Sequence, residues 1–212
     1  MADVGFSGPY GGDCLTRDDL PADPVDLLRR WLDEAKAAGV RDANAMALAT
    51  CDAQGQPHCR FVLLKQLDEH GLGFFTNKHS HKGEQLRENA LAAATFWWVL
   101  PHARQVRVEG VVRELPEADA QAYFASRSKL AQLCSAASPQ SQVVKDRAEL
   151  EGLVATLAAG VGDGAVSKPA HWGGYAILPE RLEVWQERPG RLHDRFQYWL
   201  EAGVWRVDRL AP

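Results

Sequence analysis

The sequence predicts a mainly β protein with flanking helices, an α+β chain whose strands are antiparallel. Three observations predict it. Apolar, β-branched and aromatic runs recur between turn residues at roughly 8–12-residue spacing, which favours a sandwich or closed barrel over a parallel βαβ sheet. Along 104–114, Val106, Val108, Gly110 and Val112 alternate with polar residues, the period of a strand with one buried face. No Gly-rich dinucleotide fingerprint or Walker loop is present.

Residues 1–22 are rich in Gly, Asp and Pro without apolar period, and are expected to form a flexible N-terminal arm ahead of a single domain over 23–212. Tyr10 in that arm either covers a site or packs on the surface. Asp23-Pro24 is a helix start, an N-cap acid followed by Pro at the first helical position. Leu28, Trp31, Leu32 and Ala35 then recur at helical spacing, and Gly39 stands where the helix should stop. Met46–Cys51 is a short strand. Arg60–Lys65 and Leu72–Asn77, separated by Asp68-Glu69-His70-Gly71, read as a hairpin, with residues 60, 62 and 64 on one face and 61, 63 and 65 on the other. Ser80 is the expected N-cap of a helix over Gly83–Glu88. Leu91–Val99 and Arg104–Glu114 are strands. Pro116–Ala125, Ser128–Ala136 and the run opened by Asp146-Arg147-Ala148-Glu149 read as helices, the last with a capping box. After the Gly/Pro-rich stretch 160–169, Tyr175–Leu178, Leu182–Gln186, Phe196–Leu200 and Val204–Val207 are strand-like.

Composition narrows the function. The 24 basic residues against 28 acidic ones leave a net charge of −4, so no whole-chain basic signature points to nucleic acid or an anionic membrane. Cys14, Cys51, Cys59 and Cys134 form no CxxC pair or metal-finger spacing. No signal peptide or membrane-length apolar run is read, and a cytoplasmic protein with reduced thiols is expected. His79 and His81 lack an evident third ligand, so no metal site is expected.

The cations, by contrast, cluster. Arg60, Lys65, Ser80 and Lys82 suggest a site for phosphorylated small molecules, because a capped helix N-terminus and flanking cations suit an anion; the alternative is that Lys78 and Lys82 are ordinary surface cations. Tyr123 and Arg127, at i and i+4, share a face of a continuous helix and suit a phosphate, or else form a cation–π or surface pair. Arg191, His193 and Arg195 alternate, so on an extended chain they share one face, where an anionic ligand would relieve their repulsion. Gln105, near the start of a strand, either reads the edge of a flat heterocycle or faces water. With no nucleophile motif and no paired carboxylates, a cation-rich site implies that a bound cofactor supplies the chemistry.

Several fragments together resemble the pyridoxine (pyridoxamine) 5′-phosphate oxidase family over essentially residues 17–212. They are Asp-Leu-Pro-Ala-Asp-Pro at 19–24, Arg-Phe-Val-Leu-Leu-Lys at 60–65, Phe-Phe-Thr-Asn at 74–77, Arg-Gln-Val at 104–106 and Tyr-Phe-Ala-Ser-Arg at 123–127. Gln-Ser at 140–141, Trp-Gly-Gly-Tyr at 172–175, Trp185-Gln186, Arg-Leu-His-Asp-Arg at 191–195 and Asp-Arg-Leu-Ala-Pro at 208–212 complete them. The resemblance implies an FMN-binding split β-barrel homodimer, with FMN at the subunit interface. It implies oxidation of pyridoxamine or pyridoxine 5′-phosphate to pyridoxal 5′-phosphate, with dioxygen reduced to hydrogen peroxide. By the same resemblance FMN is held by Arg60, Phe61, Val62, Leu63, Leu64, Lys65, Phe75, Thr76, Lys82, Gln105, Gln140, Ser141, Trp185 and Arg195. The substrate phosphate is held by Lys65, Tyr123 and Arg127, and its ring is closed over by Arg191, Leu192 and His193; Arg191, His193 and Arg195 are the implied catalytic group. The chain departs from the family pattern at His81 (usually Arg), Ala131 (usually Ser) and Ser7 (often Arg). Two other readings stay open: a paralogous flavin oxidase of another aromatic substrate, of the phenazine-pathway type, and a non-catalytic carrier of FMN or pyridoxal phosphate.

Overall fold

The computed structural model describes residues 14–212. Asp23 caps the first helix, α1 (Pro24–Ala37), by accepting from Val25 N at 2.9 Å. Leu27, Leu28, Trp31, Leu32 and Ala35 form its buried stripe. Four strands follow: β1 (Ala45–Cys51), β2 (Pro57–Leu63), β3 (Gln66–Asp68) and β4 (Gly71–Asn77). Then come α2 (His81–Glu88), β5 (Leu91–Trp98) and β6 (Arg104–Glu114). Three helices, α3 (Glu117–Ser126), α4 (Lys129–Ala137) and α5 (Arg147–Val161), precede β7 (Trp172–Gln186), β8 (Asp194–Glu201) and β9 (Val204–Arg209).

All strand pairs are antiparallel, in the order β2-β1-β5-β6-β7-β4-β3, with β8 on β7 and β9 on β8. The sheet forks along β7: one edge pairs β6, while the other pairs β4 through residues 172–177 and β8 through 181–186. The fork coincides with a register shift at Glu109/Gly110. A Cβ on Gly110 would lie 1.9 Å from the Leu178 carbonyl oxygen, so this irregularity needs glycine. A backbone bond from Lys65 N to Gly73 O (2.8 Å) links the end of β2 to β4 and curls the sheet into a split barrel. Inside it, Trp31, Leu28, Met46, Leu48, Phe74, Phe96, Val106, Val108 and Val184 are buried. A smaller cluster of Phe124, Leu133, Val166 and Trp172 seats the three helices after β6.

Four expectations change. The Arg60–Lys65 run does not form a hairpin with Leu72–Asn77: β2 pairs β1, and the hairpin belongs to the short β3 with β4. β2 ends at Leu63, leaving Leu64 and Lys65 beyond the strand. Residues 172–186 form one strand where two runs were expected, the break being the Gly110 irregularity. Within 14–22, Leu15 is buried, its N–H donates to Asp194 at 3.0 Å, and Arg17–Asp19 form a 3-10 turn, so this part of the expected arm is packed down. Tyr10 and Ser7 lie outside the described residues.

Candidate functional site

One cavity of about 900 Å³ opens between β2, β4, α2, α3 and α4. Its lining includes Arg60, Phe61, Val62, Leu63, Lys65, Phe75, Thr76, Lys82, Tyr123, Arg127 and Gln140. The fold brings both cation groups expected from the sequence to one space.

The first group is Arg60 with Lys82. β2 alternation turns Arg60 inward, away from the exposed Phe61 and Leu63. There its guanidinium donates to Thr50 Oγ1 (2.6 Å), Leu48 O (3.2 Å) and Gln85 Oε1 (3.1 Å), while Thr50 itself donates to Gln85 (2.6 Å). Lys82 stands in the first turn of α2, whose N-cap Ser80 accepts from Gly83 N at 3.4 Å. Its Nζ donates to Thr76 Oγ1 (3.1 Å), Ser80 Oγ (3.3 Å) and Gln140 Oε1 (3.4 Å). Burial, and then the charge of Arg60, push the Lys82 ammonium down to about 8. Burial also works against the charge on Arg60. Among the described residues no carboxylate lies within ion-pair distance of either group. Two desolvated cations facing one another without a counterion form a place for an anion.

The second group is Lys65, Tyr123 and Arg127. Arg127 is not on a continuous helix with Tyr123: α3 ends at Ser126, and Arg127 is the extended residue that caps it. The bend still directs both into the cavity. Tyr123 stacks on Phe75 at 4.3 Å, Phe75 on Trp172 at 5.4 Å, and the Arg127 guanidinium lies 5.3 Å over the Trp172 ring. Lys65 Nζ sits 5.8 Å over the Tyr123 ring. A Cβ on Gly174 would approach the Phe75 ring to 2.7 Å, which is why glycine stands beside this stack. Here too, no carboxylate pairs with Lys65 or Arg127 among the described residues.

The remaining expected residues lie elsewhere on the same chain. Register places Trp97, Gln105, Trp185 and Arg195 in one row across β5, β6, β7 and β8, on the face opposite the core. The His193 ring packs 4.6 Å from Trp185, and its Nδ1 accepts from Arg188 N at 3.1 Å. Leu192 and His193 line a smaller cavity with residues 209–212. The expected extended run from Arg191 to Arg195 is interrupted: Pro189–Arg191 is a 3-10 turn, and Gly190 and Arg191 have φ of 68° and 62°. Nor is Arg195 an unrelieved cation, since it donates to Glu183 at 2.9 Å. Leu64 is buried in the core, and Ser141 is exposed beside the cavity residue Gln140. Thr50, Gln85, Trp172 and Ser135 are site residues that the sequence did not reveal; only Trp172, within the Trp-Gly-Gly-Tyr fragment, carried a signal. Among the described residues no group of three or more His, Cys, Asp or Glu is arranged to hold a metal, and no helix is long and apolar enough to cross a membrane.

A split barrel whose cavity carries cations without carboxylate partners among the described residues suits an anionic ligand, and comparison with known proteins narrows the class. Residues 32–158 match the family model described as pyridoxamine 5′-phosphate oxidase, and residues 172–212 match that of the pyridoxine 5′-phosphate oxidase C-terminal dimerisation region. The chain is 49% identical over 205 residues to the pyridoxine/pyridoxamine 5′-phosphate oxidase of Pseudomonas paraeruginosa, covering 96% of this chain and 95% of that one. The enzyme of that name from Ralstonia pickettii is 52% identical over 204 residues, with the same coverage. Among solved structures, PhzG from Burkholderia lata 383, in complex with tetrahydrophenazine-1-carboxylic acid, superposes with a TM-score of 0.87 at 33% identity, covering 94% of this chain and 98% of that one. A pyridoxamine 5′-phosphate oxidase-related, FMN-binding protein from Nostoc punctiforme shares the fold at TM-score 0.71 and 16% identity, covering 88% of this chain and 96% of that one.

The chain belongs to the pyridoxamine 5′-phosphate oxidase family. The Nostoc punctiforme neighbour is described as FMN-binding, and the donor set here fits that cofactor. Arg60 and Lys82, with the Thr76 and Ser80 hydroxyls, suit a phosphate tail, and the cavity is large enough for a flat ring system beside a smaller aromatic.

Proposed function

We propose that this protein is an FMN-dependent oxidase converting pyridoxamine 5′-phosphate and pyridoxine 5′-phosphate to pyridoxal 5′-phosphate, with dioxygen reduced to hydrogen peroxide. One observation carries the reading: a single cavity holds two cation groups that have no carboxylate partners among the described residues, and two phosphates would account for them. Arg60 and Lys82 take the FMN phosphate; Lys65, Tyr123 and Arg127 take the substrate phosphate. FMN, held by Arg60 and Lys82, would supply the two-electron redox chemistry between the substrate C4′ carbon and dioxygen. The alcohol yields aldehyde and peroxide; the amine also takes up water and releases ammonia. The chain supplies position and electrostatics: the phosphate anchor and the Phe75–Tyr123–Trp172 stack fix where the substrate ring lies.

The site is completed in a homodimer. Phe61 is 77% exposed and Trp97 54%, and both point away from the core on the sheet face that carries Gln105, Trp185 and Arg195. A second copy covering that face removes the apolar surface from water. It also sets the row of one protomer beside the cavity of the other, with Arg191, Leu192 and His193 closing over the substrate. There Arg195, braced by Glu183, would help to hold and orient the flavin ring. A cytoplasmic location, expected from the sequence, belongs to this proposal.

Lys82 makes the FMN grip pH-dependent. A phosphate stabilises the charged ammonium, so the bound form holds its proton to higher pH than the free form, which releases it near 8. FMN affinity is expected to be flat below about pH 8 and to fall above it by up to about ten-fold per pH unit. Fluorescence titration with FMN from pH 7 to 10 reads this directly. The resemblance to PhzG supports a second reading, oxidation of a fused-ring carboxylate, with the carboxylate at Lys65 and Arg127. Turnover of pyridoxine 5′-phosphate against a reduced phenazine carboxylate separates the two.

A further inference from the structure

The hydroxyl of Ser135 is the least explained group in the cavity. Ala131, Cys134, Ser135 and Ser138 line one wall, at helical spacing along α4 and the residue that caps it. Ser135 Oγ accepts a hydrogen bond from Arg127 Nη1 at 2.7 Å, which fixes its position. Its own hydrogen has no acceptor among the described residues, although a helical serine commonly donates back to the carbonyl four residues earlier. Ala131, one turn before it, offers no polar atom. A hydroxyl that accepts from a guanidinium and has its proton free is set to donate to an anion held by the same guanidinium.

We propose that Ser135 is a direct ligand of the substrate's phosphate, completing with Lys65, Tyr123 and Arg127 a four-residue anion site. The inference rests on the function proposed above, since it takes the phosphate of a phosphorylated pyridine to be what Arg127 holds. Ser135 donates Oγ–H to one phosphate oxygen while Arg127 donates to others. The geometry makes Ser135 both an orienter of Arg127 and a ligand in its own right, and these two roles are separable.

The test titrates FMN-loaded enzyme with pyridoxal 5′-phosphate, and with unphosphorylated pyridoxal as control, in four proteins: the unmodified chain, Ser135→Ala, Arg127→Ala and the double variant. Ser135→Ala is expected to weaken pyridoxal 5′-phosphate binding by roughly 10-fold, in the range for a hydrogen bond to a charged group, and to leave pyridoxal binding unchanged. In the Arg127→Ala background the same substitution should still weaken binding several-fold. Ser135→Thr, which keeps the hydroxyl, should recover most of the affinity. If Ser135→Ala is silent once Arg127 is gone, the hydroxyl acts only by orienting Arg127 and the proposal is overturned. An unchanged affinity for Ser135→Ala alone, with Arg127→Ala impaired, overturns it while leaving the proposed function standing. If neither variant weakens binding, both fall.

Discussion

Replacing Lys82 with methionine is expected to raise the melting temperature of the FMN-free protein while lowering its affinity for FMN at least ten-fold. The two effects share one cause. In the folded chain burial and Arg60 lower the Lys82 pKa from 10.5 to about 8, so at neutral pH folding forces a charged ammonium into a place that resists it. The unfolded chain binds this proton more tightly, so the penalty is fully present below about pH 8 and fades as pH rises toward 10.5. Because the amine keeps partial contact with solvent, the relief is on the order of 1–2 kcal/mol, a shift of a few degrees for a chain of this size. In the proposed FMN complex the same ammonium would face the phosphate, and losing it would remove a charge-assisted bond. Calorimetry of the free protein at pH 7 and at pH 10 checks the first effect: the methionine variant should gain at pH 7 and little at pH 10. A variant that melts lower at pH 7 and retains FMN would show that Lys82 is a structural cation.

Arg127→Ala is expected to raise KM for pyridoxine 5′-phosphate by about 10- to 100-fold, from the loss of hydrogen bonds to a charged group, with FMN retained and a much smaller change in kcat. The reasoning is positional. Arg127 lies over Trp172 and is held by Ser135, with Lys65 over Tyr123 in the same aromatic cluster. Its removal leaves the Arg60 and Lys82 group untouched. Lysine is not an equivalent substitute, because a point charge cannot form the two parallel bonds of the fork. Steady-state kinetics with and without the substrate's phosphate check the assignment: KM for unphosphorylated pyridoxine should not respond to the substitution.

The fold was legible wherever its signal was local. Asp23-Pro24 and the Leu28–Ala35 spacing gave α1, and Ser80 gave the start of α2, because caps and amphipathic stripes are written within a few residues. Strand partners were not. Arg60–Lys65 pairs with β1, not with Leu72–Asn77, and sequence distance does not encode which of several apolar runs lies alongside. The site divides the same way. Arg60, Lys65, Lys82, Tyr123 and Arg127 stand out in the sequence because cations near a capped helix or a phenol suit an anion, and the fold brings all five to one cavity. The expected alternation of Arg191, His193 and Arg195 is not kept in the fold, since the turn at Pro189–Arg191 breaks it and Glu183, across the strand pair, pairs with Arg195. Thr50 and Gln85 were invisible for a related reason: they brace Arg60 only after β1 and α2 have packed on β2.

The proposed function requires one cavity to grip a flavin phosphate and a substrate phosphate at once. Its most direct measurement is aerobic incubation of the FMN-loaded protein with pyridoxine 5′-phosphate, following pyridoxal 5′-phosphate and hydrogen peroxide together. The expected result is equal amounts of the two, formed over many turnovers and competitively slowed by inorganic phosphate. Protein that takes up no FMN, or that binds it and forms no pyridoxal 5′-phosphate, would contradict the account.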